Sequence, residues 1–308
     1  MAATITVWLP EPGFAEAMGG LPDGMTADVW SGGEELPASA DEVEVVVLPP
    51  ALQGPGLAVL GKLPRLRLIQ LTSAGAEHVI PHVPAGVTLC NARGAHDPDV
   101  AEWIIAAILA QVRLLPQFLK AQQAAAWAPA WSGTLAGQTV LIVGYGSIGE
   151  AAERVLEPFG VTVQRIARTA RPGVSSVEDL PALLPRADIV ILLLPVTPAT
   201  VGLVDARFLG QMKDGSLLVN AARGAIVDTA ALLAELTSNR IRAALDVTDP
   251  EPLPSGHPLW SAPGLLLTPH VAGLAPQGIP RARVIVRDQL SRYASGEPLL
   301  NVVGARGY

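Results

Sequence analysis

An α/β architecture built as two sheet-containing units is the fold class this sequence predicts, and three observations predict it. The chain has 308 residues, which at roughly 100–200 residues per domain divides into two. Apolar β-branched runs alternate with Ala/Leu-rich amphipathic stretches from one end to the other, the pattern of parallel sheets covered on both faces by helices. Half of the residues are hydrophobic, yet the longest apolar runs, IIAAILA at 104–110 and IVILLLP at 189–195, fall well short of the ~20 residues that span a bilayer. The apolar residues are therefore expected in cores, and no membrane association is expected.

Taken in order, MAATITVWLPEPG lacks the basic start and long apolar stretch of an export signal and reads as a first strand. Strands are expected at ATITVWL, EVEVVVLP, LRLIQLT and VTLCN, each followed by Gly/Pro-rich turns, forming one open sheet. A long helix is predicted from Asp97, which can cap it, with Pro98 at the first helical position and Asp99 and Glu102 facing the positive end of its dipole. Its body is VAEWIIAAILAQVRLL. After the connector AWAPAWSG, a second series of strands is expected at TVLIV, VTVQRI, ADIVILLLP, GSLLVNA, IRAALDV and LLLTPH. The last stretch reads as helix to about Ala294 and extended chain beyond it.

A net charge of −7, with Lys and Arg scattered rather than striped, offers no basic field for nucleic acid. The single cysteine, Cys90, excludes an intramolecular disulfide, makes a zinc site improbable and fits a reducing cytoplasm. Among the five histidines, His78 and His82 are four apart, but Pro81 and Pro84 argue against a helix there, so no metal is expected.

The string VLIVGYGSIGE, residues 140–150, is either a floor for a dinucleotide pyrophosphate or a plain strand-to-helix turn. Its context, after a buried strand and before an amphipathic helix, favours the first. Gly144 permits the tight turn, Gly146 lets backbone approach a pyrophosphate, and Gly149 lets helix and strand pack closely. Tyr145, Ser147 and Ile148 complete the loop, and Pro195, at the end of the run 189–195, is counted with the cofactor-binding residues. The acid that binds an adenine ribose 2′-hydroxyl belongs about twenty residues on. Ala167 stands there instead, followed by Arg168, Thr169 and Arg171. Arginine can stack on adenine and pair with a 2′-phosphate, so NADPH is expected in preference to NADH, with NADH binding beside solvated arginines as the alternative.

Three further strings end strands of the second series. LLVNAARGAIVD holds Arg223, which alone could be a surface salt bridge. AALDVTDPEPLP holds Asp246, Asp249 and Glu251, and LLLTPHVAG holds His270. A cation to anchor a carboxylate, a proton donor, and a carboxylate to orient that donor and raise its pKa are together what carbonyl reduction of a 2-oxo acid requires.

With LIQLTSAGAEHV, VAEWIIAAILA, VLIVGYGSIG and ADIVILLLPVTPATVGLV added in order, the chain resembles the D-isomer-specific 2-hydroxyacid dehydrogenases over nearly its full length. The resemblance implies that Arg223 binds the substrate carboxylate and carbonyl, that His270 is the proton donor with Glu251 as its acid partner, and that Asp246 hydrogen-bonds the nicotinamide amide. It implies that backbone amides of Ser73, Ala74 and Gly75 cradle the substrate carboxylate. It further implies a Rossmann cofactor domain, 98–272, inserted into a flavodoxin-like substrate domain of 1–97 and 273–308, hinge closure that expels water, and a homodimer. The expected activity is reduction of glyoxylate, hydroxypyruvate or a similar acid to the D-2-hydroxy acid. Two departures stand out: Thr248 replaces the family's common aromatic after "DV", and the NAD-selecting acid is missing. A phosphoglycerate dehydrogenase-like enzyme and a dinucleotide-sensing interaction protein stay open as alternatives.

Overall fold

The computed structural model describes residues 4–304 apart from Ala51 and Gln53. Two compact units divide the chain: Met1–His96 with Ala275–Tyr308, and Asp97–Leu274.

In the first unit, β1 (Ile5–Leu9) leads through the short helix α1 (Phe14–Ala17) to β2 (Met25–Val29), β3 (Val43–Val47), β4 (Leu68–Gln70) and β5 (Thr88–Cys90). All pairings are parallel and the order is β2-β1-β3-β4-β5, the doubly wound order of flavodoxin-like sheets. Alternate residues serve opposite faces: Trp8, Val46 and Ile69 pack with Leu60 on one side, Val7, Val45 and Leu68 with Val286 on the other. Strand β2 has no counterpart among the expected runs. It lies at the sheet edge, and only Met25 of its MTADV is buried, so it needs no apolar run of the kind that marks interior strands.

The second unit opens with the helices α2 (Asp97–Val112) and α3 (Leu115–Gln123). Its sheet is built from β6 (Thr139–Val143), β7 (Thr162–Ile166), β8 (Ile189–Leu192), β9 (Leu217–Asn220), β10 (Arg242–Leu245) and β11 (Leu265–Leu267). Between these strands run α4 (Ser147–Leu156), α5 (Leu180–Leu183), α6 (Ala206–Gln211) and α7 (Thr229–Thr237). The sheet is parallel throughout, in the order β11-β10-β9-β8-β6-β7. A lone parallel bridge from Ile166 to Ser175 lies beyond β7. The unit thus has the 3-2-1-4-5-6 order of a dinucleotide-binding sheet with its third strand reduced to one bridge. The strand order reverses between β6 and β8. The last helix, α8 (Gly278–Ser295), belongs to the first unit, where Val286 and Leu290 join the core with Cys90.

One helix corrects the expectation. The sequence predicts continuous helix from Asp97 through Leu115, but α2 ends at Val112, the chain turns through Leu114 at φ 59°, and α3 departs at 65°. Pro116 is the cause: its ring collides with the carbonyl four residues back, at Val112, and offers it no N–H. That carbonyl accepts from the Gly133 amide instead, at 3.0 Å. No single helix among the described residues is long and apolar enough to cross a membrane.

Candidate active site

Asn220, Leu245 and Leu267 are register partners at the ends of β9, β10 and β11. The three strings that follow them therefore leave the carboxyl edge of the sheet side by side, where open α/β sheets bind ligands.

Asp246, the first residue past β10, is buried and organises the segment carrying His270. Its Oδ1 accepts from Thr268 Oγ1 at 2.6 Å and from the Val271 amide at 2.9 Å, and its Oδ2 accepts from the Ala272 amide at 2.8 Å. Its backbone carbonyl accepts from the His270 amide at 2.7 Å. These bonds bracket His270, whose φ of 57° lies in the left-handed region that non-glycine residues rarely enter. Trp103 of α2 completes the support by donating Nε1–H to Thr268 Oγ1 at 3.1 Å. The imidazole is about half exposed, with Nδ1 at 2.5 Å from Glu251 Oε1. A carboxylate can only accept, so Nδ1 donates and Nε2 is left to exchange a proton with a ligand.

Arg223 is half-buried at the start of a 3-10 turn, Gly224–Ile226. Its carbonyl accepts from Asn220 Nδ2 at 3.0 Å and its Nη1 donates to Ala222 O at 2.7 Å. Gly224 is required there: a Cβ would stand 1.9 Å from the Thr248 carbonyl oxygen. The arginine loop thus packs directly on the backbone that leads to Glu251. At Thr248 the hydroxyl turns back to Pro250 O, at 2.9 Å.

The glycine loop fits a pyrophosphate. Gly144, at φ 102°, lies so close to β8's exit that a Cβ would meet Leu193 O at 2.5 Å. A Cβ on Gly149 would press on Tyr145 and Ile142, so helix α4 sits tight on β6. At Gly146 a Cβ would meet nothing within 4 Å, and no side chain caps α4. Open space therefore faces an uncapped helix N-terminus, the setting in which backbone amides bind phosphate. Ile148 and Tyr145 pack against the core, and the Pro195 carbonyl accepts from Thr200 Oγ1 at 2.6 Å, ordering the turn after β8.

The arginine loop beyond β7 is exposed at Arg168, Thr169 and Arg171. Arg171 donates Nη2 to Tyr145 O at 2.8 Å. In the first unit, Ser73 Oγ bonds Gly75 O at 3.2 Å and Asn91 Nδ2 bonds Ala74 O at 2.7 Å, which fixes the 73–75 loop.

Residues 105–272 match the model of the D-isomer specific 2-hydroxyacid dehydrogenase NAD binding domain. The chain belongs to the D-isomer specific 2-hydroxyacid dehydrogenase family. Among its relatives, glyoxylate/hydroxypyruvate reductase A of Yersinia enterocolitica is 33% identical over 233 residues, covering 73% of this chain and 74% of that one. A D-isomer specific 2-hydroxyacid dehydrogenase from Xanthobacter autotrophicus Py2, solved with NADPH and MES, superposes with a TM-score of 0.85 at 31% identity over 99% of both chains. An NADPH-dependent glyoxylate/hydroxypyruvate reductase from Sinorhizobium meliloti, solved with NADP and sulfate, gives a TM-score of 0.84 at 27% identity, over 99% of this chain and 100% of that one.

As a member of this family the chain is an NAD(P)-dependent 2-hydroxyacid dehydrogenase. Several residues around its site escape sequence reading. Trp103 and Thr268 are 165 residues apart, and no local pattern pairs them. Arg165 and Glu153, which join Tyr145 beside the glycine loop, lie inside strings that read only as strand and helix. Gly224 carries a signal, an isolated glycine directly after the arginine, but only the close backbone approach explains it.

Proposed function

We propose that this dehydrogenase reduces a small 2-oxo acid, glyoxylate, hydroxypyruvate or a close relative, to the D-2-hydroxy acid with NADPH. The observation that carries the reading is the His270–Glu251 pair at the carboxyl edge of the sheet, in the loop held by Asp246. When bound, the dinucleotide supplies the hydride.

The chain's own residues do the rest. Arg223 anchors the substrate carboxylate and polarises its carbonyl. His270 gives the carbonyl oxygen a proton from Nε2, and Glu251 accepts from the other nitrogen and holds the ring in place. Asp246 Oδ2, with one backbone amide on it, retains acceptor capacity for a nicotinamide amide. The amides of Ser73, Ala74 and Gly75 are assigned to the substrate carboxylate, and the units holding 1–97 with 273–308 and 98–272 to substrate and cofactor respectively. Gly146, Gly149 and the amides of Ser147 and Ile148 are assigned to the pyrophosphate, with Gly144 and Tyr145 shaping the turn that leads to them and Pro195 across the switch point.

NADPH is favoured over NADH because Ala167 takes the place of the acid that would bind a 2′-hydroxyl, and Arg168, Thr169 and Arg171 follow it. The NADPH-dependent Sinorhizobium relative supports the same choice. Reduction is the favoured direction, because cells generally keep that couple reduced, and the cytoplasm is the favoured compartment. A second copy of the chain is the favoured partner: Trp127 and Trp131 are 99% and 101% exposed on one connector, and apolar surface of that kind marks an interface.

Oxidation of NADPH and NADH by the purified protein, measured with glyoxylate, hydroxypyruvate, pyruvate and a phenyl-substituted 2-oxo acid, tests the proposal. Turnover of the small acids with NADPH preference, and chiral analysis giving the D product, is the expected result. NADH preference contradicts the arginine-loop assignment, and turnover of none of the acids contradicts the reductase reading.

A further inference from the structure

Next to the glycine loop, Tyr145 and Arg171 meet Glu153 and Arg165, two residues with no part in the roles assigned above. Tyr145 stands between Gly144 and Gly146, and the amides of Gly144 and Tyr145 both donate to Ile166 O, at 2.9 and 2.8 Å. The loop is thereby tied to the end of β7, from which the 168–171 segment departs. The guanidinium carbons of Arg165 and Arg171 each lie 5.6 Å from the centroid of the Tyr145 ring. Both distances suit attraction between a cation and the negative face of an aromatic ring.

The two arginines differ in what else holds them. Arg165 is paired with Glu153 through Nε on Oε2 at 2.7 Å and through Nη2 on Oε1, and the Tyr145 hydroxyl donates to the same carboxylate. The Arg165 bond holds the Glu153 carboxyl below the usual carboxylate range. Burial, then the bond to Glu153, pushes the Tyr145 phenol up. At neutral pH the group is therefore a cation, an anion and a donating phenol, and the charge of Arg165 is neutralised. Arg171 by contrast rests on a ring face and on one neutral carbonyl. Neither removes its charge, and one bond uses one of five N–H donors. An open hollow of about 500 Å³ adjoins it, where Arg154, Arg165 and Arg171 are interspersed with Glu150, Glu153 and Glu157.

We propose that Tyr145 is a specificity-determining residue: its ring and carbonyl hold Arg171 at the rim of the glycine loop with its charge available to the 2′-phosphate of the dinucleotide. Tyr145 thus acts as a positioning residue, through Arg171. Glu153 sharpens the selection by tying up Arg165 and the phenol, so that the ring keeps its place. The inference rests on the NADPH reading given above.

Calorimetric titration of the intact chain with adenosine 2′,5′-bisphosphate and with adenosine 5′-monophosphate tests it, since the two probes differ only in the phosphate at issue. Wild type is expected to prefer the bisphosphate, and Arg171→Leu to lose that preference. Tyr145→Leu is expected to weaken the bisphosphate about tenfold and to leave the monophosphate within about twofold, which also shows that the variant is folded. Tyr145→Phe, which keeps ring and carbonyl, is expected to restore most of the preference. The inference is overturned if Tyr145→Leu weakens both probes equally, or keeps the preference that Arg171→Leu loses. A wild-type chain that does not distinguish the probes overturns the NADPH reading and this inference together.

Discussion

Nδ1 of His270 and Oε1 of Glu251 lie 2.5 Å apart, although nineteen residues separate them in the chain. The contact joins the loops after two neighbouring strands, β10 and β11. A charged acceptor here fixes the tautomer and leaves Nε2 to exchange a proton with a ligand. Glu251→Gln keeps an acceptor and removes the charge. Its turnover number is expected to fall about 10- to 100-fold while the Kd for NADPH stays within about twofold. Steady-state kinetics combined with a fluorescence titration of the cofactor separate the two quantities, and unchanged turnover would remove Glu251 from the mechanism.

Thr268 joins three elements: its hydroxyl donates to Asp246 Oδ1 and accepts from Trp103 Nε1. Thr268→Val leaves Trp103 without this acceptor and takes one of the three donors from the Asp246 carboxylate. The His270 segment should then lose its register. Displacement of a reacting group by about 1 Å can cost on the order of 100-fold in rate, so turnover is expected to drop at least about tenfold with cofactor affinity retained. Thr268→Ser restores the hydroxyl and should restore the rate, a rescue that a loss of packing alone would not give.

Gly224→Ala places a methyl 1.9 Å from a backbone oxygen, that of Thr248. Backbone cannot yield as a flexible side chain does, and overpacking costs ~1–3 kcal/mol or more. The variant is expected to melt several degrees lower and to lose turnover through displacement of both Arg223 and the strand of chain leading to Glu251. Calorimetry and kinetics on the same preparation check both effects; a wild-type melting temperature would show that the loop has room.

Glu153 provides a prediction about acid stability. Its folded pKa is depressed, first through the Arg165 bond, so the stability it contributes is complete above the ordinary carboxylate value of 4.5 and is lost as pH falls through the lower folded value. Glu153→Gln should therefore be less stable than wild type at neutral pH, with the difference shrinking below pH 4.5. Urea midpoints measured across that range give the comparison. A gap that stays constant with pH would show that the ion pair is energetically idle.

Much of this architecture was legible because interior strands such as β6, β8 and β9 are buried on both faces and so appear as apolar runs. TVLIV and GSLLVNA coincide with β6 and β9 for that reason. The glycine loop was legible because its three glycines meet separate steric demands, at φ 102°, at an open face and at a tight helix–strand contact. The edge strand β2 was not, since MTADV is mostly exposed. Nor was the break before α3: the helical pattern of AILAQVRLL continues through it, and only Pro116 marks the end. The support around the candidate site was the least visible part. Asp246, Thr268 and Trp103 come together only after α2 and β11 pack in the same unit, and Glu153 finds Arg165 only across the β6–β7 turn of the fold.

The most direct test of the central claim is single-turnover reduction of glyoxylate or hydroxypyruvate by His270→Ala loaded with NADPH, beside a measurement of its NADPH affinity. The account predicts cofactor binding close to wild type and a rate of product formation lower by about 100-fold or more. Near-normal product formation from the bound cofactor would contradict it, because the proton would then be coming from another group.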